Sequence, residues 1–276
     1  MTDSNDTVVA LEKRACQIRR HIIRMIHTSQ SGHPGGSLSS EDIVTALYFH
    51  FMHVDPTNPT WPDRDRFILS KGHACPVWYS ALAEKGYFPV EELLTLRKID
   101  SRLQGHPDMV KTPGIDITTG SLGQGLSAGV GMALGLKLDR KDAHVYVILG
   151  DGETNEGQVW EAAMAAAKFN LDNLVAFVDY NNLQLDGFCN DIMPIEPLAD
   201  KWKAFNWEVF EMDGHDMRQI VDTIDAARQV RGKPSVIIAH THKGKGVSFM
   251  EDQCGWHGKA PDDEQYQQAL RELDEK

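Results

Sequence analysis

The chain places an aspartate between two glycines, Gly150-Asp151-Gly152-Glu153, directly after the apolar run 145–149, and a paired asparagine, Asp179-Tyr180-Asn181-Asn182, after the run 175–178. Both runs have the β-branched and apolar composition of strands buried on both faces. If they lie parallel in one sheet, the Asp151 carboxylate and the Asn181 amide oxygen reach the same edge. In a doubly wound sheet that edge, outside the carboxyl ends of the strands, is where ligands bind. Hard oxygen donors suit Mg²⁺ or Ca²⁺, and a Mg²⁺ ion held by few protein groups completes its shell with phosphate oxygens and water. The glycines flanking Asp151 let backbone approach a phosphate closely. The expected ligand is therefore a diphosphate bridged by a divalent metal. Gly-Asp-Gly alone also makes ordinary turns, so the weight rests on its spacing from the asparagines.

Four histidines stand beside glycines: His33 in Ser31-Gly32-His33-Pro34-Gly35-Gly36, His73 in Ser70-Lys71-Gly72-His73-Ala74, His106 in Gly105-His106-Pro107 and His257 in Trp256-His257-Gly258. For any single one a surface or structural role is the simpler account, but four in such turns together suggest a ligand site. The segment Lys243-Gly244-Lys245-Gly246 is a glycine-punctuated basic loop, either a solvated turn or a cover for a phosphate.

The elements that must position these residues alternate. Strands are expected at 145–149, 175–178, 207–212 and 235–239, and helices at 159–169 and 217–230 between them. This alternation argues for an α/β fold with a doubly wound, mostly parallel sheet and helices on both faces. The first 140 residues are helix-rich, with helices expected at 8–29, 41–51 and 74–85 and another opening at Gly123. A short acidic helix at 263–275 closes the chain. No repeat, low-complexity linker or boundary is visible; the loop 55–62 carries three prolines but is too short for a tether, so residues 1–276 read as one domain.

Composition narrows the partners. A formal charge of −12 opposes binding to nucleic acid or an anionic membrane. The basic residues Lys13, Arg14, Arg19, Arg20 and Arg24 interleave with apolar ones at helical spacing, as on the solvated face of an amphipathic helix. Cys16, Cys75, Cys189 and Cys254 are scattered, without metal or dithiol spacing, and are read as reduced thiols. The start (Thr2, Asp3, Ser4, Asn5, Asp6) lacks the order of a secretion signal, and no stretch reaches the ~18 apolar residues of a membrane span. Cytoplasmic residence is expected.

Gly-Asp-Gly followed after roughly 28 residues by Asn-Asn resembles the signature with which thiamine-diphosphate (ThDP) enzymes hold metal and cofactor. With the histidine motifs, Thr119-Gly120-Ser121-Leu122-Gly123-Gln124-Gly125 and Asn155-Glu156-Gly157-Gln158-Val159-Trp160-Glu161-Ala162, the chain resembles the N-terminal, diphosphate-binding part of transketolase from about Gly32 to Gly258. The resemblance implies the ThDP-binding fold and gives the metal to Asp151, Asn181 and the Leu183 carbonyl, with Mg²⁺ expected and Ca²⁺ or Mn²⁺ as alternatives. It puts His73 and His257 near the diphosphate, His257 also facing substrate alongside His33, and His106 on the hydroxyls of the donor ketose. Gly120, Ser121 and Leu122 would line the cofactor and Gly152 would touch its diphosphate, with Gly150 and Glu153 in the same binding turn. Glu156 resembles a glutamate at a contact between protomers, or is simply an acid at a helix start. Asp186 and His215 match recurrent family positions to which no chemical step is attached.

Activation of ThDP needs a carboxylate against its aminopyrimidine ring, and in transketolases that glutamate belongs to a second, pyrimidine-binding domain. Here the sequence ends at Lys276, soon after the His257 motif. The resemblance therefore implies the N-terminal subunit of a split transketolase in an α2β2 assembly with a pyrimidine-binding partner. The implied reaction transfers a two-carbon ketol unit from a ketose phosphate to an aldose phosphate, as in pentose-phosphate metabolism. A branched or sulfonated ketose as donor, or a non-catalytic ThDP-binding module, are the alternatives.

Overall fold

The computed structural model describes residues 3–274; Thr2, Lys276 and the last position of the helix expected at 263–275 lie outside the described residues. Five strands, β1 (Arg66–Leu69), β2 (Val145–Gly150), β3 (Leu174–Tyr180), β4 (Glu208–Asp213) and β5 (Ser235–His240), form one sheet in the order β1-β2-β3-β5-β4 with every pair parallel. The register sets Gly150 opposite Asp179 and Tyr180 opposite His240. Asp151 and Asn181 therefore leave the sheet at one edge.

Among the described residues ten α-helical segments accompany the sheet: α1 (Asp3–Ser29), α2 (Pro34–Ser39), α3 (Glu41–Ala46), α4 (Cys75–Lys85), α5 (Gln124–Leu138), α6 (Gly157–Lys168), α7 (Cys189–Ile192), α8 (Leu198–Ala204), α9 (Met217–Gln229) and α10 (Asp263–Asp274). Successive strand side chains point to opposite faces, and both faces are buried. Tyr146, Ile148, Phe177 and Ile237 join a core with Ile22 of α1, Trp78 of α4, Ile224 of α9 and Leu273 of α10. Val147, Leu149, Ala176 and Val236 join a second core with Leu126 of α5, Val159 of α6 and Trp202 of α8. The result is the doubly wound α/β fold expected. Among the described residues no helix is long and apolar enough to cross a membrane.

Several boundaries differ from expectation for identifiable reasons. The helix expected at 41–51 stops at Ala46 and continues as a wider π-type turn, Leu47–Phe51. β1 and α2 were not foreseen: β1 is four residues beside a charged stretch, and α2 is a glycine-rich turn with Pro34 at its start. The basic face of α1 is only partly solvated. Lys13 and Arg24 are exposed, whereas Arg14 pairs with Glu84, Arg20 with Asp274, and Arg19 with Glu41 and Asp42, because α3, α4 and α10 pack around this helix.

Candidate active site

The chain leaves β1 and β5 toward the Trp78 core and leaves β2 and β3 toward the Trp202 core. Connections that diverge from neighbouring strands open a crevice at the carboxyl edge of the sheet. A cavity of about 270 Å³ lies there. His73 and Lys71 enter it from the end of β1, Gly150 to Glu153 from β2, Asn181 and Leu183 from β3, and Lys243 and His257 from the segment after β5, with Leu122 at its rim. The acidic turn, the asparagine and two of the four histidines singled out from the sequence thus share one space.

Asp151 is nearly fully buried and is held by backbone donors: Oδ1 accepts from Gly152 N at 2.7 Å and Oδ2 from Asn182 N at 2.6 Å. Burial and the neighbouring Asp179 push its carboxyl up to about 6, against those hydrogen bonds and the charge of Lys243. The Asn181 amide donates from Nδ2 to Asp179 Oδ2 at 3.1 Å, while its Oδ1 accepts from Leu183 N at 3.2 Å. Lys243, 3% exposed, donates to the carbonyls of Leu183 and Gln184 at 3.0 and 3.3 Å and lies 3.0 Å from His257 Nδ1. The basic loop is thus no solvated turn at Lys243: its cation is buried in the cavity wall.

Sequence reasoning missed the buried pair beneath. Asp179, fully buried, accepts from Lys71 Nζ, Ser39 Oγ and Thr241 Oγ1, each at 2.5 Å, and Lys71 also donates to the Gly36 carbonyl at 2.7 Å. Burial alone would raise the Asp179 carboxyl, but Lys71 and these donors outweigh it and hold it below the usual carboxylate range. The signal was present in a charged residue ending an apolar run two positions before Asn181.

His33, His73 and His257 form a cluster with ring centroids 5.1 to 5.4 Å apart. Burial, then the positive neighbours around each ring, lowers all three: His33 and His257 to about 4 and His73 to about 2. The cluster is neutral at physiological pH. His33 Nδ1 is buried without a hydrogen-bond partner among the described residues. His106 stands apart on the exposed side, against Gly120, where an added Cβ would lie 3.1 Å from its ring. Gly120, with φ +148, and exposed Ser121 lie outside the cavity lining, beside Leu122.

Glu153 borders the cavity, yet its carboxylate faces the protein. Its oxygens accept from the Ser70 hydroxyl, Gly123 N at 2.8 Å and Gly150 N at 2.9 Å. Gly123 makes this turn with φ +82, at the start of α5. Glu156 and Asp186 are exposed, the former at the start of α6. His215 is away from the cavity: Nδ1 lies 2.8 Å from Asp42, and Nε2 accepts the His242 backbone N–H at 2.9 Å.

The family described as "Transketolase, thiamine diphosphate binding domain" matches residues 11–274. The chain belongs to the transketolase family. It is 49% identical over 266 residues to the "6-deoxy-6-sulfo-D-fructose transketolase subunit SqwG" of Clostridium sp. (strain MSTE9), covering 96% of this chain and 97% of that one. It is 44% identical over 269 residues to one of the subunits of the apulose-4-phosphate transketolase of Phocaeicola vulgatus, covering 98% and 95% respectively. Among solved structures, the transketolase of Campylobacter jejuni superposes with a TM-score of 0.90 at 33% identity over 96% of this chain, but only 42% of the solved chain is covered. This transketolase chain is therefore about the size of the split subunits and less than half of the solved enzyme. It is a ThDP-binding subunit of a ketol-transferring enzyme.

Proposed function

We propose that residues 1–276 form one diphosphate-binding domain that completes its active site with a separate pyrimidine-binding subunit in an α2β2 assembly. The observation that carries this is the cavity itself, where one buried carboxylate, an amide oxygen and a backbone carbonyl stand beside two buried lysines and a neutral histidine cluster. The relatives named as subunits match this chain over nearly their full length, which supports the two-chain assembly.

The residues fit a divalent cation on chemical grounds. Asp151, Asn181 and the Leu183 carbonyl are hard oxygen donors, and Asp151 is a buried acid whose charge calls for a cation. Mg²⁺ is the proposed ion, with Ca²⁺ and Mn²⁺ as substitutes. Lys243, Lys71, His73 and Gly152 border the same space, where the diphosphate would lie. Bound ThDP supplies a nucleophilic carbon for cleaving the donor ketose. His33 and His257, neutral and close together, can accept or donate protons at substrate hydroxyls, a role commonly worth ~10²- to 10⁴-fold in rate. His106 orients the donor at the exposed mouth, and Gly120, Ser121 and Leu122 form the cofactor's outer edge.

The substrates proposed are sugar phosphates, with transfer of a two-carbon unit. A second reading, a branched or sulfonated ketose as donor, is favoured by the names of the two relatives above. Cys16, Cys75, Cys189 and Cys254 are all free thiols, which supports a cytoplasmic setting. The test is reconstitution with the pyrimidine-binding partner, followed by ThDP- and Mg²⁺-dependent transfer assays across ordinary, branched and sulfonated ketoses. Transfer is expected only with both chains present; turnover by this chain alone would overturn the two-subunit proposal.

A further inference from the structure

Asn181 can serve a cation only if its amide oxygen, not its nitrogen, faces the cavity, and an asparagine side chain does not decide this by itself. The two ends of an amide have nearly the same shape and are distinguished by their hydrogen-bonding partners. Here one partner is unambiguous. Asp179 Oδ2, 3.1 Å from Asn181 Nδ2, already receives Lys71 Nζ and Ser39 Oγ at 2.5 Å. An oxygen on which an ammonium and a hydroxyl already converge acts as an acceptor. A flipped amide would press oxygen against this oxygen. Its other end agrees, since Oδ1 accepts the Leu183 N–H at 3.2 Å.

We propose that Asp179 is a positioning residue that selects the amide orientation of Asn181, with Lys71 as the buried ion-pair partner that holds the Asp179 side chain in place. The four side chains that donate to Asp179 come from separate places: α2, the residues following β1 and β5, and Asn181 just beyond β3. Its direction is therefore fixed by the packing of the whole edge. Outer partners that orient a metal ligand commonly affect metal affinity by ~10- to 100-fold. This rests on the proposed metal role of Asn181.

The test is Mg²⁺ affinity, measured by calorimetry with saturating ThDP on the complex of this chain and its pyrimidine-binding partner. Asn181→Ala and Asp179→Ala should each weaken Mg²⁺ binding by ~10-fold or more, and together by less than ~3-fold beyond Asn181→Ala alone, because the second residue acts through the first. If Asp179→Ala does not fold, Asp179→Ala with Lys71→Met removes both buried charges. In that background Asn181→Ala should cost less than ~3-fold instead of ~10-fold. Unchanged affinity in Asp179→Ala, or full additivity with Asn181→Ala, overturns the inference. Unchanged affinity in Asn181→Ala overturns the metal proposal itself.

Discussion

Asp151 bridges two strand ends by accepting the Asn182 backbone N–H at 2.6 Å, so the proposed metal carboxylate also ties β2 to the turn after β3. Asp151→Ala should abolish Mg²⁺-dependent ThDP binding in the reconstituted enzyme. It should also cost ~1–3 kcal/mol in stability by leaving buried donors unpaired. Calorimetry and urea unfolding read the two effects separately, and retained ThDP affinity would refute the metal assignment.

The pH behaviour of the same group has a definite sign. With its pKa raised from 3.8 to about 6, folded Asp151 binds more protons than the unfolded chain between those values. Metal-free stability should therefore fall as pH rises from about 4 to 6, by on the order of 3 kcal/mol from this group alone. Mg²⁺ displaces the proton, so its affinity should climb up to ~10-fold per unit toward pH 6 and then level off. A flat Mg²⁺ affinity from pH 5 to 7 would contradict this.

The histidine cluster gives the opposite slope. His33 and His257 fall from 6.5 to about 4, so the unfolded chain binds more protons in that window, and their contribution is full above 6.5 and lost as pH falls toward 4. The ring protons of both residues should show no NMR titration between pH 6 and 8. A midpoint near 6.5 for either would show the ring to be solvated.

Lys71→Met should destabilise the fold strongly, by ~3–5 kcal/mol, because it leaves the fully buried Asp179 carboxylate without its cation. Adding Asp179→Asn should recover much of that loss. Denaturant midpoints of the single and double variants decide the matter; an undiminished midpoint for Lys71→Met would mean that the pair is dispensable.

The sequence revealed the parts of this molecule governed by local periodicity and by short-range motifs. The runs before Gly150 and Asp179 are buried on both faces, so their uniformly apolar character marked β2 and β3 and carried Asp151 and Asn181 to one edge. Contacts between distant segments were not legible. Lys243 looked like a turn residue because nothing local shows that Leu183, sixty positions away, receives its ammonium. The Lys71–Asp179 pair spans a longer separation still, and Arg19 looked solvated because its buried acids lie on another helix. β1 escaped notice because four residues cannot display a period.

Glu153 joins three segments, taking Ser70 beyond β1, Gly123 before α5 and Gly150 at the end of β2 onto one carboxylate without facing the cavity. This side of the pocket is thus tied together by the fold's own hydrogen bonds, and loss of the Glu153 carboxylate would loosen all three segments at once.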